Sequence, residues 1–314
     1  MKNLESELKM TDLNNLEPGI RKLVVQFIES GRPSARKQSI QERRQGYLST
    51  IDLAGEAVPV WDIFEQTIDG IRIRIYKPSE QMNLPILIFY HGGCFVSGDF
   101  ETHDRQMRLL SNLGGALVIA VEYRLAPEHV YPAAHDDAFK ASDIVSQHAL
   151  SWGGNPDNIT IAGDSAGGHL ALVTCLRLKK QGRWMPKRQV LIYPMLDAKG
   201  TSNSYKKFGD DYVITRDALL TGFDAYLSNL PPDHPEASPL NRDDFEGLPE
   251  THIITAEFDP LVDEGEALYR RLLESGVEAQ CRRYLGVNHG FFQLAGISIA
   301  GRKAIQDVAT IISN

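Results

Sequence analysis

The sequence is poor in cysteine and has no concentration of basic residues. Its 314 residues include three cysteines, at positions 94, 175 and 281, too few for a secreted disulfide framework and too far apart for a zinc site. Lysine and arginine number 33 against 41 aspartate and glutamate residues, which gives a formal net charge of −8. Nucleic acids and anionic membranes select clustered positive charge, so this balance argues against both as partners. We expect a cytoplasmic protein with reduced thiols.

Long hydrophobic runs are also missing. The longest apolar runs, such as 85–90 and 116–121, have the length of a β-strand and fall far short of the roughly 20 residues that a helix needs to cross a bilayer. Residues 1–7 are charged throughout and lack the apolar core of a signal peptide. These observations predict a protein without a membrane span. The one basic run, residues 36–44, is short and interrupted, which favours a solvated helix face.

Strands and helices alternate along most of the chain. Residues 71–75 alternate apolar and charged side chains with a period of two, as in a half-buried strand. Short apolar runs then alternate with amphipathic stretches, which predicts one α/β domain over residues 1–314, with a mostly parallel sheet flanked by helices. The predicted strands are 71–75, 85–90, 116–122, 158–162, 189–193, 252–256 and 279–284, and the predicted helices lie near 104–113, 133–149, 166–181, 262–275 and 298–312.

Two segments stand outside this alternation. Residues 1 to about 50 have helical periodicity without a strand, and Ser34 is predicted to cap the second helix there. Residues 198–248 contain four prolines and a predicted helix near 216–228, but no convincing strand. A long insertion without sheet strands is usually functional. We therefore expect these two segments, about 1–50 and 198–248, to pack together as a helical cap over the functional site.

The sequence Gly163-Asp164-Ser165-Ala166-Gly167 lies between a predicted strand and a predicted helix. The pattern G-x-S-x-G in that context is typical of a nucleophile elbow, in which a strained turn exposes the serine hydroxyl. Glycine is needed two residues to either side because a side chain there would collide with the crossing backbone. The pattern predicts Ser165 as a nucleophile, although an ordinary Gly-Ser turn would give the same five residues.

A glycine pair follows the predicted strand 85–90, in the sequence His91-Gly92-Gly93-Cys94. Glycines after a strand allow the backbone to turn its N–H groups toward a ligand. In elbow enzymes the oxyanion hole takes one N–H from the residue after the nucleophile and others from such a loop. We therefore expect oxyanion-hole donors at Gly93, Cys94 and Ala166, with a simple turn as the alternative.

These motifs together resemble the hormone-sensitive lipase family, whose bacterial members are also called GDSAG or family IV esterases. The resemblance extends from about residue 60 to 295 in the family's order, and the N-terminal helices resemble the family's cap. One departure is that the third glycine of the His-Gly-Gly-Gly motif is Cys94. The residues that carry the resemblance to the family are His91-Gly92-Gly93, Tyr123-Arg124-Leu125-Ala126-Pro127-Glu128, Tyr131-Pro132-Ala133-Ala134, Gly163 to Gly168, Asp259-Pro260-Leu261 and Asn288-His289-Gly290-Phe291.

The resemblance implies an α/β-hydrolase fold with a helical cap and a serine carboxylesterase that acts on short- to medium-chain acyl esters without a cofactor. Dimers are common in this family, so a homodimer is one expectation. The motifs leave two alternatives open, an amidase or N-acetyl hydrolase with the same catalytic triad, and a non-catalytic receptor on this fold. The presence of Ser165, Asp259 and His289 favours an enzyme over a receptor.

The chain order of serine, acid and histidine predicts the rest of the triad. Asp259 follows the predicted strand 252–256, and the resemblance makes it the acid, although an Asp-Pro turn or helix cap is the alternative. Asp263 and Glu264 are nearby rivals, but we expect both to lie in the next helix and to complement its N-terminus. His289, in a glycine-flanked loop after the last strand, is the predicted base.

The remaining candidates receive structural interpretations. The resemblance implies that His91 supports the oxyanion loop without transferring protons. His169 is expected to pack on the nucleophile helix. Residues 135–137, His-Asp-Asp, could suggest a metal site, but adjacent carboxylates at a helix start are more often capping groups, so no metal is predicted. The Cys94 side chain is expected to narrow the alcohol side of the pocket and to disfavour bulky alcohols.

Overall fold

The computed structural model describes residues 13–314, so the charged segment 1–7 and the first part of the predicted cap lie outside the described residues. Eight strands form one sheet in the order β1-β2-β4-β3-β5-β6-β7-β8. The pairs β1·β2 and β2·β4 are antiparallel and all others are parallel, which confirms the predicted mostly parallel sheet. The strands are β1 (Asp62–Ile68), β2 (Ile71–Lys77), β3 (Leu84–Tyr90), β4 (Leu117–Glu122), β5 (Gly154–Asp164), β6 (Arg188–Ile192), β7 (Glu250–Phe258) and β8 (Ala279–Asn288).

Helices cover both faces of this sheet. Along β3, Ile86 and Ile88 enter one hydrophobic core while Leu87 and Phe89 enter the other, so the strand is apolar on both sides. The helices are α1 (Pro18–Glu29), α2 (Ile40–Leu48), α3 (Phe100–Gly114), α4 (Ala133–Trp152), α5 (Ala166–Lys180), α6 (Asn203–Phe208), α7 (Arg216–Leu227), α8 (Val262–Glu274) and α9 (Ile299–Ser313). The first core includes side chains of α4, α5 and α8, and the second includes side chains of α1, α3 and α9.

The predicted elements are found in the predicted order, with three differences. The edge strand β1 and the short helix α6 were not predicted from the sequence. The prediction that Ser34 caps the second helix is wrong, because Ser34 caps only a 3-10 turn over Ala35–Lys37. Helix α2 begins after Ser39, whose hydroxyl accepts from the Glu42 N–H while the Glu42 carboxylate bonds back to Ser39. This reciprocal capping box satisfies two backbone donors at once and fixes the helix start.

The insertion 198–248 has no strand and contributes α6 and α7, and α7 contacts the segment before β1. Arg43 of α2 donates to the Ala218 carbonyl at 2.9 Å and to the Thr221 hydroxyl at 3.1 Å. Arg44 donates to the Val96 carbonyl at 2.8 Å, in the loop after β3. Arg36 and Lys37 of the run 36–44 are exposed, as expected for a solvated face, but Arg43 and Arg44 are partly buried and connect α2 to α7 and to the loop that follows β3.

The N-terminal segment is also attached to the last helix of the chain. One Glu17 oxygen accepts from the Ser298 hydroxyl at 2.7 Å and from the Ile299 N–H at 3.0 Å, and the other accepts from the Ala300 N–H at 2.9 Å. These donors lie at the start of α9, whose first N–H groups have no acceptor within the helix. A carboxylate distant in sequence thus caps α9 and complements its dipole.

No helix within residues 13–314 combines the length and the apolar character needed to cross a membrane.

Replacing Glu17 with Ala is expected to lower the free energy of unfolding by about 1–2 kcal/mol, because it removes the acceptor of the Ile299 and Ala300 N–H groups at the start of α9. Urea unfolding followed by circular dichroism measures the difference. Glu29→Ala is the matched control, since Glu29 is an exposed residue at the end of α1. Equal unfolding free energies for the two variants would contradict the capping role.

Candidate active site

Ser165 occupies a strained turn between β5 and α5. Its φ is 56° and its ψ is −115°, a conformation that is unfavourable for a residue with a side chain. A Cβ atom at Gly163 would lie 2.7 Å from the Tyr90 carbonyl oxygen, and one at Gly167 would lie 2.5 Å from the Tyr90 carbonyl carbon. The turn therefore needs both glycines because it is pressed against the end of the neighbouring strand β3.

The structure brings Ser165, His289 and Asp259 together from three parts of the chain. His289 Nε2 lies 3.0 Å from Ser165 Oγ, and His289 Nδ1 lies 2.8 Å from Asp259 Oδ2. Asp259 follows β7 and His289 follows β8, so the carboxyl ends of adjacent parallel strands carry them to one edge of the sheet. The other Asp259 oxygen accepts the Leu261 N–H at 2.8 Å, which orients a fully buried carboxyl group.

The hydrogen-bond partners define the tautomer of the neutral His289 ring. A carboxylate only accepts hydrogen bonds, so in this tautomer the proton is on Nδ1 and the Nε2 lone pair faces the Ser165 hydroxyl. The ring of Tyr193 packs on the imidazole with 4.5 Å between centroids. This arrangement equips His289 to take the proton of Ser165 while Asp259 stabilises the resulting cation.

The two rival carboxylates lie in the first turn of α8, as expected, but their hydrogen bonds reach other segments. Asp263 accepts the Ser204 N–H at 2.8 Å. Glu264 is buried and accepts the N–H groups of Leu196 at 2.7 Å and Asp197 at 3.1 Å, beyond the end of β6. Burial raises the pKa of Glu264 well above its ordinary value. Glu264 therefore fixes the segment after β6 in addition to lying near the positive end of α8.

The loop after β3 presents backbone donors beside Ser165. The Gly92 N–H is occupied by Asp164 Oδ1 at 2.8 Å. By contrast, the N–H groups of Gly93, Cys94 and Ala166 have no acceptor among residues 13–314. Gly93, Cys94 and Ser165 line the same cavity, and Ala166 is the first residue of α5, where a free N–H is expected. Unpaired backbone donors in the same region as a serine hydroxyl can stabilise an oxygen that becomes negatively charged.

The same loop is conformationally unusual. Gly93, Cys94 and Phe95 have φ values of 123°, 54° and 63° in succession, so two residues with side chains adopt a left-handed backbone. Cys94 therefore adopts the left-handed backbone conformation that favours glycine, at the position where the family motif has its third glycine. Its side chain is buried, and burial raises the pKa of the thiol, which keeps it neutral. A neutral thiol is a poor nucleophile.

His91 contacts this loop from inside the protein. Its Nδ1 lies 2.7 Å from the Gly92 carbonyl oxygen, and its ring stacks on Tyr123 at 4.3 Å. Burial, and to a smaller extent the nearby His103, lowers the pKa of His91 to about 4. The imidazole is therefore neutral at pH 7 and donates from Nδ1 to the loop.

A polar chain that was not predicted from the sequence connects the loop to α2. Asp164 Oδ1, which holds the Gly92 N–H, also lies 3.0 Å from His103 Nε2. The Gln293 amide contacts His103 and reaches the Tyr47 hydroxyl at 2.5 Å. Only Asp164 carried a sequence signal, through its place in the G-x-S-x-G motif; the other three residues are distant in sequence and meet only in the folded chain.

A cavity of about 440 Å³ opens onto Ser165 and His289. Its walls combine α1, α2 and α7 with the segment before α7. The side chains that line these walls include Phe27, Ile28, Tyr47, Val213, Ile214 and Ala218. The two segments left outside the predicted sheet thus border one cavity with the catalytic candidates at its base.

The His-Asp-Asp sequence at 135–137 is engaged in other contacts. His135 Nδ1 lies 2.7 Å from the Tyr226 hydroxyl, and its Nε2 lies 3.0 Å from His169 Nε2. Asp136 pairs with Arg177 and Asp137 pairs with Arg124, each at 2.8 Å. His169 bonds to the Met195 carbonyl through Nδ1, so both histidines brace the nucleophile helix.

Burial lowers the pKa of His91 and His169 to about 4 and that of His135 well below its ordinary value of 6.5. Well above pH 6.5 these groups are unprotonated in both the folded and the unfolded chain. Below it the unfolded chain binds the protons first, so the free energy of unfolding falls as the pH drops toward 4. The loss at pH 5 is about 2 kcal/mol for each such histidine with a pKa near 4.

We expect His135→Phe to reduce the difference in unfolding free energy between pH 7 and pH 5, because it removes one buried proton-binding group and keeps a ring against Tyr226. Urea unfolding at both pH values measures this difference. His129→Gln is the control, since His129 is exposed. The same pH dependence in His135→Phe, His129→Gln and the parent would show that the buried histidines do not cause the effect.

Comparison with known proteins identifies the family of this chain. Residues 87–293 match the family described as the α/β hydrolase fold. The carboxylic ester hydrolase LipN of Mycobacterium tuberculosis is 38% identical over 255 residues, which are 76% of this chain and 68% of that protein. An arylesterase of Saccharolobus solfataricus is 32% identical over 282 residues, which are 88% of this chain and 92% of that protein.

Two solved esterase structures extend the likeness over nearly the whole chain. The hyperthermophilic esterase of Pyrobaculum calidifontis has a TM-score of 0.89 at 37% identity and covers 95% of this chain and 98% of its own. A thermostable esterase of Pseudomonas putida has a TM-score of 0.91 at 30% identity, with 95% and 97% covered. The chain therefore belongs to the α/β-hydrolase fold family, in the hormone-sensitive-lipase-like branch that its motifs resemble.

Proposed function

We propose that this chain is a serine carboxylesterase that hydrolyses short- to medium-chain acyl esters through Ser165, His289 and Asp259. The observation that carries the proposal is the bridging position of His289, 3.0 Å from the serine hydroxyl and 2.8 Å from a buried carboxylate. The relatives reported above are named for ester hydrolysis, which supports an ester rather than an amide as the substrate. A non-catalytic receptor would not need Ser165, His289 and Asp259 in hydrogen-bond contact, so their arrangement favours an enzyme.

The mechanism follows from these contacts. His289 accepts the Ser165 proton as the hydroxyl oxygen attacks the ester carbonyl, and Asp259 stabilises the imidazolium. The N–H groups of Gly93, Cys94 and Ala166 bind the tetrahedral oxyanion, where a single donor is worth about 3–4 kcal/mol. His289 then protonates the leaving alcohol, and a water activated by the same imidazole releases the acid from the acyl-enzyme.

The cavity supports the proposed substrate size. A volume of about 440 Å³ suits a small or medium ester, and apolar side chains such as Phe27 and Ile214 suit an alkyl chain. We assign the cap to residues up to about 50 and to 198–248, because α2 and α7 share hydrogen bonds through Arg43 and both border the cavity. Cys94 also borders it, which supports a narrowed alcohol side.

The cellular setting and the assembly are part of the same proposal. Cys94, Cys175 and Cys281 are all free thiols, which fits the reducing cytoplasm. A homodimer is the expected assembly because β8 forms an outer edge of the sheet and carries the exposed side chain of Leu285.

Ser165→Ala is expected to abolish covalent labelling by a fluorophosphonate and to lower p-nitrophenyl butyrate hydrolysis by several orders of magnitude, because the attacking oxygen is lost. Labelling is read by mass spectrometry and hydrolysis by absorbance. Ser151→Ala, on an exposed residue at the end of α4, is the control and keeps both signals. Retained labelling in Ser165→Ala would refute the assignment of the nucleophile, and faster cleavage of the matching butyryl anilide by the parent would favour an amidase.

A further inference from the structure

We propose that the cap helix α7 positions the oxyanion hole, with Gly222 as the main positioning residue and Phe223 and Tyr226 as its partners. The proposal rests on the esterase mechanism above and adds residues that do not touch the reacting atoms. In this view α7 has two roles, since its N-terminal half borders the substrate cavity and its C-terminal half presses on the loop that carries the Gly93 and Cys94 donors.

The oxyanion loop needs support from outside itself. Three successive positive φ angles, at Gly93, Cys94 and Phe95, include two residues for which this backbone region is unfavourable. Hydrogen bonds from the Val96 and Ser97 N–H groups to the Gly93 carbonyl close the turn, but they leave the Cys94 and Phe95 side chains to be placed by their neighbours. Strained backbone persists only where the surrounding structure determines it.

Gly222 supplies the first contact. A Cβ atom at this position would lie 2.5 Å from the Cys94 Cβ and 2.6 Å from the Cys94 carbonyl oxygen, distances shorter than real Cβ contacts. The backbone of α7 therefore touches both the side chain and the main chain of Cys94. Because a cysteine stands where the family motif has glycine, the helix must leave room, and Gly222 leaves it.

Aromatic stacking supplies the second contact. The fully buried Phe95 ring stacks on Tyr226 with 4.5 Å between centroids and an interplanar angle of 14°, and it lies 5.8 Å from the Phe223 ring. Tyr226 is held in turn, because its hydroxyl bonds to His135 Nδ1 at 2.7 Å and its carbonyl accepts the Tyr131 N–H at 2.8 Å. The C-terminal half of α7 is thus fixed to the body of the fold and holds Phe95 from one side.

The position of residue 94 matters for the chemistry. Hydrogen bonds weaken steeply as donors are misaligned, and the loss of one oxyanion donor lowers kcat by about 10²–10³. A methyl group added at Gly222 must displace the Cys94 peptide or α7 to relieve the overlap. We expect Gly222→Ala to lower kcat by about 10- to 100-fold, less than the loss of a whole donor, and to change KM little.

A second substrate separates this effect from general damage. In a thionoester the carbonyl oxygen is replaced by sulfur, which is larger and a weaker hydrogen-bond acceptor, so the oxyanion hole contributes less to its reaction. Gly222→Ala should therefore slow a p-nitrophenyl ester more than the corresponding thionoester, and the ratio of the two rates should fall at least about fivefold. A defect in His289 or in folding would slow both substrates alike.

Gly114→Ala is the matched control, because it also adds a methyl group to a helical glycine. The new Cβ would lie 3.4 Å from the Ala309 carbonyl oxygen, an ordinary van der Waals distance, in α3 and away from the cavity. This variant should keep the parent rate ratio. Circular dichroism and urea unfolding of both variants show that the comparison is made on folded protein.

The stacking partner gives an independent test. Tyr226→Phe keeps the ring against Phe95 and should keep the parent ratio, whereas Tyr226→Leu removes the stack and should lower the ratio as Gly222→Ala does. If Gly222→Ala does not fold, the Tyr226 pair decides. If the parent is active and the ratio of ester to thionoester rates is unchanged in folded Gly222→Ala and in Tyr226→Leu, the proposed role of α7 is wrong while the proposed function stands. If the parent hydrolyses neither ester, the proposed function is wrong as well.

Discussion

The close contact between the elbow and the end of β3 is the constraint on which the site depends. β5 ends directly before Ser165 and lies next to β3, so the turn at Ser165 is packed directly against the Tyr90 carbonyl. The chain leaves β3 at that same point and enters the loop with Gly93 and Cys94. The strand order therefore brings Ser165 close to the proposed oxyanion donors, and the glycines at 163 and 167 allow the approach.

Asp164 converts this adjacency into a fixed distance. Its carboxylate accepts the Gly92 N–H, which ties the elbow to the loop, and it also contacts His103. With the Gly92 donor occupied, the next two N–H groups along the loop remain available. Asp164 thus leaves the N–H groups of Gly93 and Cys94, and not that of Gly92, for the proposed oxyanion hole.

Much of this arrangement follows from local sequence. Period-two alternation and short apolar runs define strands, and the elbow is recognisable because strand, glycines, serine and helix are contiguous. Asp259 and His289 follow from chain order, since each closes a parallel strand. The capping box at Ser39 was also readable, because Glu42 stands three residues later, whereas Ser34 lacks that partner and caps only a short turn.

Contacts between distant segments were not accessible in this way. Arg43 and Arg44 resemble a solvated basic run in the sequence because their acceptors are carbonyls and side chains of α7 and of the loop after β3. Glu264 has the same helical position as any acidic first-turn residue, and only the fold shows that it holds the segment after β6. The local sequence around Gly222 gives no sign of a role, since that role depends on Cys94, which lies against it in the fold.

The contact between Cys94 and Gly222 joins a feature that is readable from local sequence to one that is visible only in the fold. A substitution in a recognisable motif placed a side chain at a strained position, and a cap residue more than a hundred positions away accommodates it. The same helix borders the cavity with Ala218 and holds Phe95 through Tyr226. Because α7 borders the cavity and also lies against Cys94, the proposed role of α7 couples the shape of the cavity wall to the position of the proposed oxyanion donors.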